Sequence, residues 1–67
     1  MHARISIDMD NPAFGEDGLD RGSELARILR ELAEEFDGGG ARTGTNYHLR
    51  DLNGNTVGCA RIEGERL

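Results

Sequence analysis

The sequence predicts an α+β fold: a single small two-layer domain in which one amphipathic helix packs on a three-stranded antiparallel sheet, in the chain order β-α-β-β. Three observations lead there. ARISIDM alternates apolar and polar residues near the N-terminus, SELARILRELAEEFD carries a helical apolar stripe, and TNYHLRDLNGNTVGCARIE holds two alternating runs around Asn53-Gly54. With 67 residues the chain is one domain, spanning 1–67. A domain this small buries roughly 60% of the surface its unfolded chain exposes, so its stability is marginal and a deep substrate pocket is not expected.

The first strand is expected over 3–9, with Ile5, Ile7 and Met9 on one face and Arg4, Ser6 and Asp8 on the other, the period of a half-buried strand. Residues 10–22 read as an acidic loop, because Asn11-Pro12, Asp17-Gly18 and Gly22 are turn formers. Asn11 before Pro12 suits the cap of one short helical turn through Phe14. Phe14 and Leu19 are its only large apolar side chains, and both are expected to pin the loop to the core.

The helix is expected over 23–37. At about 100° per residue Leu25, Ile28, Leu29, Leu32 and Phe36 share a face, flanked by Ala26 and Ala33. Ser23 or Asp20 is the expected N-cap, and Gly38 the residue that turns left-handed after the last turn. A glycine-rich connection, 38–44, leads to a hairpin over 45–63. A two-residue turn at Asn53-Gly54 places Tyr47, Leu49, Ala60 and Ile62 on a common face, whereas a three-residue loop joins Tyr47 and Leu49 with Val57 and Cys59. The first register is preferred because it buries Ile62. Each leaves one apolar residue on the wrong side, so a bulge near Gly58 is expected. The first strand fits beside either hairpin strand, and the terminal GERL is expected to fray.

Charge narrows the function. Asp and Glu number 13 against 8 basic residues, all Arg, for a formal net charge of -5. Such a chain is expected to avoid nucleic acid and anionic membrane and to favour basic protein partners. Its single cysteine, Cys59, makes no internal disulfide, which suits a reducing, cytoplasmic setting. MHARISID lacks the apolar run of a signal peptide, and no window approaches the roughly 18 apolar residues of a membrane span.

The cluster Asp8, Asp10, Glu16, Asp17 and Asp20 raises the question of a metal. DMDN begins like a calcium loop, but that register puts Pro12 at the third ligand position, Ala13 where glycine belongs and Leu19 where a bidentate Glu must stand. His2, His48 and Cys59 lack zinc-ligand spacing. Carboxylate-pair catalysis needs a concave site, for which this length leaves little room. Cys59 and His48 face one another in the two-residue register, but nothing implies an oxyanion hole. GGGARTGT follows a helix instead of opening one, so it aims no helix N-terminus at a phosphate. Arg27 and Arg30 interleave with Glu24, Glu31 and Glu34 and form no basic stripe. The chain is therefore expected to be non-enzymatic and to need no cofactor.

The acidic surface remains. On an ideal helix Glu24, Glu31 and Glu35 lie within about 40° of one another along about 16 Å. Glu34, Glu35 and Asp37 sit at the negative end of the helix dipole, where carboxylates are unfavourable. With Asp8, Asp10, Glu16, Asp17 and Asp20 they form the candidate partner-binding set, alternatively a solubilising surface. Spaced carboxylates can present the charge pattern of nucleic-acid phosphates to a basic groove.

Three stretches, ISIDMDNPAF, ELARILRELAEEF and LRDLNGNTVG, resemble short hypothetical proteins of phages and prophages of Gram-negative bacteria. The likeness covers most of the chain outside GEDGLDRG and GGGARTG and carries no catalytic motif. Small acidic proteins of this kind look like anti-CRISPR proteins, many of which block a Cascade complex or a nuclease at its DNA-binding surface. Those families share no common motif, so no functional residue is carried over. The resemblance implies a phage-encoded inhibitor and DNA mimic in the host bacterial cytoplasm, with a basic host protein or nucleoprotein complex such as a CRISPR–Cas Cascade as partner. The alternative is a small structural or regulatory phage protein acting by homodimerisation or another protein-protein contact; both monomer and homodimer stay open.

Overall fold

The structure, a computed structural model, describes residues 1–64; the fraying expected of GERL concerns 65–67, outside the described residues. The chain forms β1 (His2–Ile7), a 3-10 turn (Pro12–Phe14), α1 (Gly18–Gly39), β2 (Asn46–Arg50) and β3 (Thr56–Glu63). The strands make one antiparallel sheet in the order β1-β3-β2, so the first strand joins the second hairpin strand and the expected α+β architecture is present. One residue explains how closely β1 lies against β3. A Cβ on Gly58 would sit 1.9 Å from the Ser6 carbonyl oxygen, so only glycine admits the β1 backbone there.

The hairpin uses both registers that the sequence allows. From Asn46 to Leu49 the pairing is that of the two-residue turn, with Tyr47 opposite Ala60 and Leu49 opposite Gly58. At the tip, the Asp51 N–H donates to the Asn55 carbonyl at 2.9 Å and the Gly54 N–H to the Asp51 carbonyl at 3.0 Å, closing a three-residue loop whose Gly54 takes φ 85. A register shift between Leu49 and Arg50 joins the two, with Val57 the extra residue. Without it, strict alternation would put Val57 on the solvent face with Cys59; the bulge turns it inward, where it keeps 8% of its surface.

The helix begins five residues earlier than expected, at Gly18, because Asp17 is the N-cap: its carboxylate accepts the Asp20 N–H at 2.8 Å. Neither Asp20 nor Ser23 caps it. It also runs past Gly38, ending at Gly40 with φ 83. Tyr47 explains the extension: its hydroxyl lies 3.2 Å from the Glu35 carbonyl and 3.3 Å from that of Gly40, satisfying the helix end, while its ring meets Phe36 edge-on at 5.1 Å. The 3-10 turn forms as expected, with the Asn11 side chain accepting the Ala13 N–H at 2.8 Å.

Phe14, Ile28, Leu32, Leu49, Val57 and Ala60 build the core, with Ile7, Met9, Phe36 and Tyr47 packed against it. The helix rests chiefly on β2 and the 3-10 turn. Three expectations change as a result. Leu19, in the first helical turn, stays 84% exposed, leaving Phe14 as the sole pin of that segment. Leu29 is 40% exposed, because the buried row runs Glu24, Ile28, Leu32 and Phe36 at spacing four and passes it by. Ile5 is 47% exposed, because the helix sits over the opposite edge of the sheet.

Candidate functional site

The ten candidate carboxylates separate into three groups by what they touch. Glu24 is buried, with 7% of its surface accessible. It accepts two hydrogen bonds from the Arg27 guanidinium, at 2.7 and 2.9 Å, and one from the Leu52 N–H at 2.8 Å. It belongs to the interior and drops out of any acidic surface. Sequence reading placed it at the helix N-terminus for its charge, but extending the row Phe36, Leu32, Ile28 by one more step of four lands on Glu24.

Asp8 and Asp17 form a second group, exposed but engaged locally. Asp8 accepts the Asp10 N–H at 3.0 Å, and Asp17 caps the helix. Asp20 packs so near Gly15 that a Cβ there would lie 2.6 Å from its own. These shape the loop as well as charge it, while Asp10 and Glu16 simply lie exposed on it.

The third group is the C-terminal half of α1. Glu31, Glu34, Glu35 and Asp37 are exposed, and no basic residue occupies the last turn. Glu31 is held by Arg27 at 2.9 Å. Among the described residues Glu34, Glu35 and Asp37 make no side-chain hydrogen bond or ion pair, so their charge faces solvent near the negative end of the helix, with Asp37 in the last turn where it is least favourable. Beside them a groove of about 240 Å³ runs between the helix and β2. Ile28, Leu32, Leu49 and Tyr47 supply its apolar lining, Glu31 and Glu35 line it from the helix, and His48 and Arg50 from β2.

The opposite face of the sheet is mixed in charge, with Glu63 3.4 Å from Arg4 and 3.0 Å from His2. Arg4 and Arg61 stand opposite one another across β1 and β3, and His48 faces Cys59 across β2 and β3. Cys59 is half-buried and no hydrogen bond joins it to His48. Among the described residues no three His, Cys, Asp or Glu side chains are grouped to hold a metal. No helix of the described residues is long and apolar enough to cross a membrane.

Neither a protein-family model, nor a curated protein, nor a solved structure corresponds to the chain at a significant level.

Sequence reading missed one arrangement, a polar clasp beneath the hairpin tip. Asp51, only 4% exposed, accepts the N–H groups of Asn53 and Asn55 at 2.9 Å each, together with the side-chain amides of Asn11 and Asn55. Arg27 adds a bond to the Arg50 carbonyl at 3.2 Å. Helix, 3-10 turn and hairpin thus meet through Glu24, Arg27, Asn11 and Asp51. The local half was legible, since an Asp two residues before Asn53 is placed to bond the backbone of its own turn. The reach of Asn11 across 40 residues was not.

Both buried carboxylates are held ionised. The Arg27 hydrogen bonds lower the pKa of Glu24 below its ordinary 4.5, outweighing burial, with the Leu52 N–H adding to them. Burial alone would raise Asp51, but the bonds from Asn55, Asn53 and Asn11 together bring it below its ordinary 3.8. A carboxylate whose pKa is lowered by folding contributes stability that is complete above its unfolded value and lost as pH falls through the folded one. Unfolding free energy is accordingly expected to decline on acidification from about pH 4.5 towards pH 2. Glu24→Gln is expected to cost about 1–2 kcal/mol at pH 7 and to make that decline shallower. Urea unfolding across the pH range checks both, and an acid limb unchanged in Glu24→Gln contradicts the assignment.

Proposed function

We propose that the protein is a non-enzymatic, phage-encoded inhibitor that lays the acidic C-terminal half of α1 on a basic nucleic-acid-binding surface of a host defence complex, with CRISPR–Cas the target class its sequence resemblance suggests. The observation that carries this reading is the set Glu34, Glu35 and Asp37, exposed and unpaired among the described residues at the negative end of a helix with no basic residue in its last turn. Such an arrangement works against helix stability, by about 0.3–1 kcal/mol for Asp37 in the last turn and by less for Glu34 and Glu35 one turn back. A basic partner surface would turn that cost into attraction, and the adjoining groove offers apolar contact that a charged surface alone lacks. The Arg-bearing face of the sheet points away from the acidic helix, which gives the molecule a preferred approach.

The structure also improves the choice of variants. Reversing Asp17 would remove the helix cap, and reversing Glu31 would set a second cation beside Arg27, whereas Glu34 and Glu35 can be reversed without breaking a hydrogen bond or ion pair. Glu34→Lys/Glu35→Lys is expected to keep the fold and to weaken capture of a nucleoprotein complex from a bacterial host lysate at least about tenfold, roughly 1.4 kcal/mol. Raising salt should weaken the wild-type interaction in the same way. Undiminished capture by the double variant means the carboxylates serve only solubility.

A further inference from the structure

β1 is an outer strand of the sheet, and among the described residues no strand pairs with its other edge. The Asp8 N–H donates to the Val57 carbonyl at 2.8 Å. Because an antiparallel ladder alternates, Arg4, Ser6 and Asp8 turn their peptide groups toward β3, and Ala3, Ile5 and Ile7 turn theirs outward. The register with β3 is unbroken from His2 to Ile7, and the strand HARISI contains neither proline nor bulge, two devices that usually blunt such an edge. Ile5 stands 47% exposed on the helix side of the sheet, where α1 does not cover it.

We infer that β1 pairs antiparallel with β1 of a second copy, about a two-fold axis perpendicular to the sheet, joining two three-stranded sheets into one. Charge removes two registers, and the extent of the strand decides between the others: a two-fold centred on Ser6 sets Arg4 against Asp8 but carries Ala3 against Met9, outside the strand. A two-fold centred on Arg4 sets Arg4 against itself, and one centred on Ala3 sets His2 against Arg4. The register centred on Ile5 places Ile5 against Ile5 and Ala3 against Ile7 on one face, and Arg4 against Ser6 and His2 against Asp8 on the other, so the apolar residues meet and no like charges do. It also engages the whole strand.

The other sheet edge, β2, is the poorer site. Glu31 and Glu35 line the groove beside it, and pairing two copies there would bring their acidic helices together. Pairing through β1 keeps the helices on one face of the joined sheet, each over its own far edge, so two acidic surfaces point the same way. The dimer stands independently of the function proposed for those surfaces.

Proline at position 5 tests the edge directly, since the N–H it removes is one that the β1–β3 ladder does not use. Wild-type protein is expected to sediment, as concentration rises, with twice the mass of one chain, and the amides of Ala3, Ile5 and Ile7 are expected to gain protection from hydrogen exchange together with dimerisation. Ile5→Pro should raise the dissociation constant at least tenfold while circular dichroism keeps the helix and sheet signal; if it does not fold, Ile5→Lys supplies the same comparison. A wild-type chain that stays monomeric at millimolar concentration overturns the inference. So does a folded Ile5 variant that dimerises like wild type, or exchange protection that leaves these three amides unchanged.

Discussion

Gly58→Ala is expected to lower the unfolding free energy by about 3 kcal/mol or more, the upper range for forcing an atom into occupied space. The added Cβ would lie 1.9 Å from the Ser6 carbonyl oxygen and 3.0 Å from the Ile7 Cα, and both are backbone atoms of β1 that no rotamer change can move. Relief requires β1 to draw away from β3, which loosens the ladder from Ser6 to Asp8 and disturbs the bulge that carries Val57 into the core. For a chain of this length total stability is about 3–10 kcal/mol, so much of it would be lost. At roughly 4–8 °C per kcal/mol, the melting midpoint should fall by about 12–24 °C.

The same substitution at Gly22 should act in the opposite direction. Gly22 lies inside α1, and a Cβ there meets nothing within 4 Å. Gly22→Ala should therefore stabilise by about 0.8–1 kcal/mol, the ordinary difference in helix propensity. Thermal melts of the two variants side by side separate a glycine required by contact from one that is merely tolerated. Equal and small effects would mean that β1 does not approach β3 as described.

Phe14→Ala is expected to cost about 3–5 kcal/mol, the usual range for emptying a fully buried aromatic site. Phe14 has 0% of its surface exposed and packs in one cluster with Ile28, Leu32, Leu49, Val57 and Ala60. It holds the 3-10 turn beneath the helix, so its loss should also free Asn11 from Asp51 and release the acidic segment that precedes Asp17. Leu19→Ala is the control. That side chain is 84% exposed, and its truncation should stay within about 0.5 kcal/mol. Chemical denaturation reads both values, and similar effects at the two positions would contradict the packing.

The sequence alone determined the elements whose signals are local. The helical apolar row, the Asn11-Pro12 turn and the alternation around Asn53-Gly54 each depend on residues a few positions apart, and each produced its element. The last of them also pointed to its own irregularity, because each of two competing registers left one apolar residue misplaced, which suggested a bulge near Gly58, and the hairpin contains one. Charge placement along the helix was legible for the same reason, and Glu31, Glu34, Glu35 and Asp37 are exposed as their positions suggested.

Tertiary structure decided what depends on distant partners. Nothing in the local pattern distinguishes Leu19 from Phe14, or shows that Tyr47 would satisfy the helix end and carry it to Gly39. Glu24 looked like one more surface carboxylate until the Leu52 N–H and the Arg27 guanidinium gave it a buried place. Strand order depended on Gly58 admitting the β1 backbone, and that choice left Ile5 exposed on an open edge. A periodicity shows which face a residue occupies, but whether anything covers that face is settled only when the sheet and helix choose their edges.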